Sequence, residues 1–491
     1  MGVPGYRLPS RSRRETVLGL SLAQLLALTL TLMTGLGAFL VVPDRGLLKE
    51  AATLAVVGLG LVLAFLPVGH FALVEWLPAA LGWLVRGHRW QAEGEEVGTF
   101  TVTAEGLVPP GRRRPPFLRG VELRSVSAPG IPALGLLEDR RCRRRLVVLR
   151  VRGSGFTLSD AEEQGRQVAR WGEALAALGR ASSPIDRVQW IEVAAPEDGD
   201  GPKRYLMEAG RRPEVPDPLL RSYLQLLERS GTVMEHETLV ALGLNLRRLR
   251  RAGPGEAERL LLQQVQVLAE QLGGEVQVEG VLSPRYLALA LRSAFDPEAR
   301  LARSRAERAG QEGGADPEGI WPVRVVERVG HLEVDGWWHC TYRAVELPRL
   351  PVGPGFAAPL LLQTACHRRV AVVVDVRPPA SSLRRVERRR TLEQVNRQVK
   401  ARLGFLASAA EELRGEETEA TARELAMGQV LARFAITVTV SGRTAGELEA
   451  ACREVEQQAA LAGIELQRCW GEQLRAFLAA LPLCRGLPER G

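Results

Sequence analysis

The sequence predicts an α+β protein: an N-terminal two-helix transmembrane hairpin followed by two mixed α+β cytoplasmic modules. Three observations lead to this prediction. They are an uncharged apolar run from Thr16 to Val42, a second apolar run that begins at Ala51, and a pattern of strands and helices that occurs twice in the rest of the chain. Elements in this order favour mixed or antiparallel sheets over a doubly wound parallel sheet.

The first apolar run is long enough to cross the roughly 30 Å hydrocarbon core of a bilayer as a helix. The second run continues to about Val68, and a short polar segment connects the two. Arginines stand before the first run and after the second, at positions 7, 11, 13, 14, 86 and 89. The positive-inside rule then predicts a multi-pass protein of the cell membrane (inner or plasma membrane) with both termini in the cytoplasm. The alternative is a buried helical hairpin in a soluble protein.

Composition shifts divide the chain into four segments. Residues 1–92 contain the membrane hairpin, its basic flanks and an interfacial helix at 75–92, and residues 93–298 form the first cytoplasmic α+β module. Residues 299–319 are polar, without an apolar period, and are predicted to be a linker. Residues 320–491 form the second cytoplasmic α+β module.

Apolar periodicity places the elements of both modules. In the first module we expect strands at 121–129, 144–153, 186–194 and 236–245, and helices at 159–179, 255–274 and 283–295. In the second we expect strands at 338–350, 368–378 and 433–442, and helices at 378–405, 445–463 and 474–483. Ser159 is the expected N-cap of the first of these helices, because a hydroxyl there accepts a free backbone N–H.

Composition limits the function classes. The formal net charge is +8, and the basic residues are almost all arginine, with lysine at positions 49, 203 and 400. An Arg/Glu-rich solvated surface explains this balance better than a nucleic-acid footprint does. The six cysteines show no CxxC spacing, which fits a reducing compartment.

Motifs of nucleotide and hydrolytic chemistry are missing from the sequence. It contains no GxxxxGK[ST] phosphate loop, and no GxGxxG opens a helix after a strand. It also contains no GxSxG, no HExxH and no EF-hand loop. We therefore predict that the chain is not an enzyme and has no catalytic residue, bound cofactor or metal.

The densest polar and aromatic cluster contains Asp335, Trp338 and His339. One hypothesis is a site in which Asp335 orients His339. The alternative is a strand with aromatic side chains in the core and a histidine at an edge. A zinc site is not expected, because His331 and His339 would need a third ligand from a distant cysteine.

Four arginines on the predicted helix 378–405 are candidates for docking an acidic partner: Arg384, Arg385, Arg388 and Arg389. The alternative is a solvated helix face on which opposite charges pair at i,i+4 spacing. Direct binding of nucleic acid by this helix would depend steeply on salt, and it is not expected.

The opening, YRLPSRSRRETVLGLSLAQLLAL (6–28), resembles the start of the PrgI-type small membrane proteins of Gram-positive conjugation systems. Long blocks of the remaining chain resemble integral membrane proteins encoded beside conjugation ATPases. These blocks are SGFTLSDAEEQGRQVARWGEALAALG, VLSPRYLALALRSAFDP, EVDGWWHCTYRAVELPRLPVGPGFAAPLLL, RRVAVVVDVRPPASSLRRVERRRT and GEQLRAFLAALPLCRGL. In that family the cytoplasmic region looks like the non-motor N-terminal part of type IV secretion ATPases.

The resemblance implies a non-enzymatic inner-membrane structural subunit of a conjugative type IV-like secretion apparatus. Its expected partners are the membrane, a separate P-loop ATPase and other subunits of the secretion machine. Self-association and the nature of the cargo are left open. Two alternatives remain: a type VII-like (EccE-type) secretion membrane component, and a membrane-bound enzyme centred on Asp335 and His339.

Overall fold

The computed structural model describes most of the chain, in segments. The described residues are 15–17, 20–41, 47–92, 102–103, 106–107, 114–128, 131–153, 155–180, 183–196, 218–219, 222, 225, 234–249, 255–273, 276–300, 319–376, 379–402, 415, 418–423 and 432–486.

Antiparallel strands dominate the described part of the chain. Three short hairpins pair β1 (Glu15–Val17) with β2 (Leu20–Ser21), β3 (Pro67–Val68) with β4 (Phe71–Ala72), and β6 (Val102–Thr103) with β7 (Gly106–Leu107). The other strands form one 13-stranded sheet. They are β5 (Arg89–Gln91), β8 (Val121–Ala128), β9 (Ile131–Asp139), β10 (Arg144–Gly153), β11 (Ile185–Pro196), β12 (Met234–Asn245), β13 (Val276–Val281), β14 (Arg324–Glu327), β15 (Leu332–Val334), β16 (Trp337–Glu346), β17 (His367–Val376), β18 (Ala432–Gly442) and β19 (Glu465–Arg468).

The helices connect these strands or precede the sheet. They are α1 (Leu22–Val41), α2 (Leu47–Phe65), α3 (Leu73–Val85), α4 (Ala161–Leu178), α5 (Glu256–Leu272), α6 (Pro284–Phe295), α7 (Ala358–Leu362), α8 (Pro379–Arg402), α9 (Ala445–Leu461) and α10 (Gln473–Ala480). The N-cap of α4 is Asp160, whose carboxylate accepts the Glu163 N–H at 2.8 Å. The expected cap, Ser159, therefore lies one residue too early.

The strand order repeats on either side of a central pair. It runs β5-β14-β15-β16-β18-β17-β11-β12-β10-β9-β8, with β13 added beside β10 and β19 added beside β16. In one half, the consecutive strands β8, β9 and β10 lie on the outer side and β11 lies at the centre of the sheet. In the other half, β14, β15 and β16 lie towards the outer side and β17 lies at the centre. The antiparallel pairing of β11 with β17 joins the halves. The α+β class and the antiparallel sheet agree with the sequence, and the boundary at 299–319 stays a prediction because most of it lies outside the described residues.

Helices cover both faces of the sheet. Side chains of successive strand residues point to opposite faces, so Ile191 and Leu239 pack under α6 and α10, whereas Val188 and Val240 pack under α4 and α5. The second half repeats this arrangement beneath α7 and α9. A strand covered on both faces offers few places for a charge, which makes the polar side chains within the sheet informative.

The first two helices pack against each other as a hairpin. Gly60 of α2 faces Thr31 of α1 so closely that an added Cβ would lie 2.1 Å from the threonine hydroxyl. The Gln24 amide donates to the Ala64 carbonyl oxygen at 3.0 Å and links the helices at one end. Large apolar side chains on the outer faces, among them Leu32 and Leu54, are exposed.

The prediction of a transmembrane hairpin is wrong, because the length and hydropathy of the described helices do not support it. Among the described residues, no helix is both long and apolar enough to cross a membrane. α1 contains Gln24 and three threonines, and α2 contains Lys49 and Glu50 in its first turns. The uncharged part of α2, residues 51–65, spans about 22 Å at roughly 1.5 Å per residue, against a hydrocarbon core of about 30 Å. The multi-pass location and the cell-membrane assignment, which rested on these spans, are corrected with them.

The segment predicted as one interfacial helix, residues 75–92, is divided in the structure. Helix α3 ends at Val85, and residues 89–91 form β5 at the edge of the sheet, paired with β14. The N-terminal part of the chain is thereby hydrogen-bonded to the sheet rather than connected to it by a helix alone.

Candidate functional site

Asp335 forms the turn between β15 and β16. Asp335 and Gly336 have φ angles of +48° and +86°, which is the left-handed conformation of a two-residue hairpin turn. The Asp335 carboxylate accepts the N–H groups of Val323 and Arg324, both at 2.9 Å. It also accepts a 2.9 Å bond from Arg292 Nη1. This carboxylate fixes a turn and neutralises an arginine.

His339 lies in the core, with no exposed surface. Its Nε2 is 3.2 Å from the Phe295 carbonyl oxygen, and its Nδ1 is 2.8 Å from the Ser441 hydroxyl. A carbonyl only accepts, so Nε2 carries the proton and Nδ1 accepts from the serine. Burial lowers the pKa of His339 to about 3, which leaves the ring neutral. The imidazole therefore connects β16, β18 and the end of α6.

Asp335 and His339 each have other partners, so the structure does not bring them together as the hypothesis of an oriented histidine requires. Trp338 is half-buried and stacks on His331, with ring centroids 4.5 Å apart. The neighbouring Trp337 is buried and donates from Nε1 to Asp296 at 3.0 Å. The cluster singled out from the sequence consists of turn and core contacts.

We expect Asp335→Ala to lower the free energy of unfolding by about 2–3 kcal/mol. The substitution leaves two backbone N–H groups and Arg292 without this acceptor, and it places alanine in a left-handed conformation. Equilibrium unfolding in urea measures the loss. Asp335→Asn, which tolerates this conformation and retains an acceptor, is the matched control and should lose less. Equal losses in the two variants would contradict the assigned role of the carboxylate.

A possible metal-ligand set lies elsewhere. Among the described residues, one group of this kind is close enough together: His70, Glu346 and Glu465, with ligand atoms within 4.8 Å of one another. The two glutamates are directly opposite in β16 and β19, and Arg349 Nη2 lies 2.7 Å from Glu346. His70 Nδ1 lies 3.3 Å from Glu465. These are contacts of surface ion pairs, and they do not by themselves assign a metal.

The arginines of α8 are placed only in part. Arg384 and Arg388 are exposed on the helix, whereas the side chains of Arg385 and Arg389 lie outside the described residues. Ser382 and Val386, on the same helix, are buried. The helix therefore has a covered side and a charged, exposed side.

The most unusual polar arrangement lies where the two halves of the sheet meet. Arg368, at the start of β17, donates from Nη2 to both carboxylate oxygens of Glu192 on β11, at 3.1 and 2.9 Å. The same guanidinium donates to the Leu361 carbonyl at the end of α7 at 2.6 Å. His236 Nδ1 lies 2.6 Å from the same glutamate.

Beside this network is a small cavity lined by further basic side chains. Arg300, His367 and Arg369 line it, with Ser293, Thr439 and Ser441. Residues 368 and 369 begin the predicted strand 368–378, and residue 300 belongs to the predicted linker 299–319. The available signal was the pair of adjacent arginines in β17: in a strand covered on both faces, neighbouring residues point to opposite faces, so neither side chain reaches solvent easily.

No protein-family model matches the chain, and no curated protein matches it.

Proposed function

We propose that the chain is a non-enzymatic scaffold subunit of a conjugative, type IV-like secretion apparatus that docks a separate P-loop ATPase. The resemblance of long sequence blocks to proteins encoded beside conjugation ATPases supports the apparatus. The missing GxxxxGK[ST] motif supports a separate motor, because a chain without this loop cannot hold a nucleoside triphosphate in that way.

The observation that carries the docking role is α8. This 24-residue helix connects β17 and β18, two strands near the centre of the sheet. Its described exposed side chains are mostly charged and include Arg384, Arg388 and Arg390. A helix with a basic exposed side is suited to an acidic surface, because complementary charges accelerate association and fix the register of a complex.

Co-purification with the ATPase from the same operon tests this proposal. We expect the full-length tagged chain to retain the ATPase, and Arg384→Glu/Arg388→Glu to retain at least about tenfold less, since two like-charge contacts replace two attractive ones. The matched control is Arg259→Glu/Arg453→Glu, which changes the charge equally at exposed positions on α5 and α9.

Each outcome of this experiment is informative. If the wild-type chain retains no ATPase, the docking role is refuted. If both double variants lose the ATPase equally, binding of the ATPase depends on the overall charge of the chain, and α8 is not the docking surface. Retention by the control with loss by the α8 variant supports the proposal.

A further inference from the structure

The cavity beside the central strands lies among the ends of α6, β11 and β17. The volume of the cavity is about 20 Å³. This exceeds the roughly 10–15 Å³ that one water molecule needs. One small group therefore fits in the cavity, whereas an aromatic ring does not.

Two buried arginines that line the cavity have guanidinium nitrogens without a hydrogen-bond partner in the described part of the chain. The side chain of Arg300 is 3% exposed, and its Nε, Nη1 and Nη2 have no hydrogen-bond partner among the described residues. Arg369 is 7% exposed, and its Nη1 likewise has no hydrogen-bond partner there. Buried guanidinium groups are normally hydrogen-bonded, because a desolvated donor without an acceptor costs about 1–3 kcal/mol or more.

The nearby carboxylates do not balance the positive charge. Arg300 Nη2 lies 3.2 Å from Glu237 and 3.8 Å from Glu235. Glu237 is shared with Arg150, whose Nη2 lies 2.7 Å from the other carboxylate oxygen. The buried Glu192 is already bound by a further arginine, Arg368. The described part of this region thus contains more arginines than buried carboxylates.

The titration behaviour of the lining groups has the same cause. Burial, followed by the charge of Arg300, lowers the pKa of Arg369 to about 9. Burial also lowers the pKa of His367 to about 4. The environment disfavours positive charge at this point, and an added anion would relieve it.

The opposite end of β11, where it lies between β12 and β17, shows how a pair of arginines is satisfied. There, Arg144 and Arg187 both donate to the Cys484 carbonyl oxygen, at 3.2 and 3.0 Å. Arg144 also donates to both oxygens of Asp186, and Arg187 to Asp375. The C-terminal segment supplies an acceptor at that end, and Arg300 and Arg369 have no counterpart of it among the described residues.

We propose that the cavity is an anion site that binds one phosphate group between Arg300 and Arg369. A tetrahedral oxyanion offers acceptors to the guanidinium N–H groups that lack a hydrogen bond within the described residues, and it adds negative charge beside Arg300 and Arg369. The hydroxyls of Thr439 and Ser441 line the same space. The site does not depend on the proposed docking role, which uses another surface of the chain.

Calorimetric titration of the full-length chain with inorganic phosphate, at constant ionic strength set with chloride, tests the proposal. We expect wild type to bind phosphate, and Arg300→Met and Arg369→Met each to bind at least about tenfold more weakly. Arg453→Met, which removes an exposed arginine from α9, is the matched control and should bind as wild type does. A parallel titration with AMP distinguishes the source: binding of AMP identifies the phosphate of an ester, and binding of phosphate alone identifies the free ion.

Thermal unfolding of the wild type supplies a measurement that needs no variant. Phosphate should raise the unfolding temperature of wild type above that in an equal ionic strength of chloride, because a ligand that binds the folded state stabilises it. Absence of both this shift and calorimetric binding would overturn the proposal. Phosphate binding that is unchanged in both methionine variants would also overturn it.

Discussion

Replacing Arg368 by methionine is expected to lower the free energy of unfolding by about 3–5 kcal/mol. The Arg368 side chain has 0% exposure, and that of its partner Glu192 has 7%. The substitution leaves the carboxylate buried, with His236 as its remaining polar neighbour in this network. It also removes the guanidinium N–H groups that donate hydrogen bonds to the carbonyl oxygens at the end of α7. A buried charge that loses its partner is costly, because neither water nor another group replaces the bond.

Equilibrium unfolding in urea measures this loss, and two comparisons interpret it. The double variant Glu192→Gln/Arg368→Met leaves no uncompensated charge and should be more stable than Arg368→Met alone. Arg349→Met removes an arginine that also binds a glutamate, but whose side chain is 81% exposed. That variant should change stability by less than about 1 kcal/mol. A loss for Arg368→Met as small as that for Arg349→Met would show that the pair does not hold the two halves of the sheet together.

Secondary structure was largely predictable from the sequence, because local periodicity carries most of its signal. The predicted strand 433–442 corresponds to β18, and the predicted helix 445–463 corresponds to α9. Both elements have one face in the core, which imposes the periods of two and 3.6 residues on their apolar positions. The order of the strands across the sheet was less accessible, because the pairing of β11 with β17 joins residues about 180 positions apart, as in Arg187 with Asp375.

For the polar cluster at 335–339, the hypothesis that Asp335 orients His339 leaves out the preference of an Asp-Gly pair for a hairpin turn. An Asp-Gly pair between two strands is a strong signal of a two-residue hairpin, and it accounts for a carboxylate at that position. The histidine needed different information. Its hydrogen bonds reach Phe295 and Ser441, so only the packing of α6 and β18 on β16 explains its presence in the core.

The hydropathy of the N-terminal segment led to a prediction that the helices do not support. Residues Thr16 to Val42 contain no charged side chain, so hydropathy alone treats them as one apolar helix. In the structure, α1 begins at Leu22, after a short hairpin of β1 and β2. The cavity arginines were missed for a related reason. Glu237 and Arg369 are far apart in the chain, and the register of β11 on β12 and β17 places them on either side of Val193. Arg300 reaches the same place from the end of α6.

His339→Gln is expected to weaken the dependence of stability on pH in acid. Burial lowers the pKa of His339 in the folded chain from the ordinary histidine value of 6.5 to about 3. Because the unfolded chain takes up this proton first, the histidine's contribution is fully present above about pH 6.5 and is lost as the pH falls towards 3. Integrated over the whole interval, the loss approaches about 5 kcal/mol, of which about 2 kcal/mol is reached by pH 5.

Urea unfolding at pH 7.5 and pH 5 separates the proton-linked effect from a simple loss of contacts. Wild type should lose about 2 kcal/mol more than His339→Gln between these pH values, because glutamine retains an N–H for the Phe295 carbonyl but cannot take up a proton. Ser441→Ala removes the hydroxyl on Nδ1 and leaves the histidine. It should therefore be less stable than wild type at pH 7.5 and still show the wild-type change between the two pH values. If His339→Gln and wild type lose the same stability in acid, the buried imidazole is not the group whose protonation opposes folding, and the loss must come from other groups such as His367.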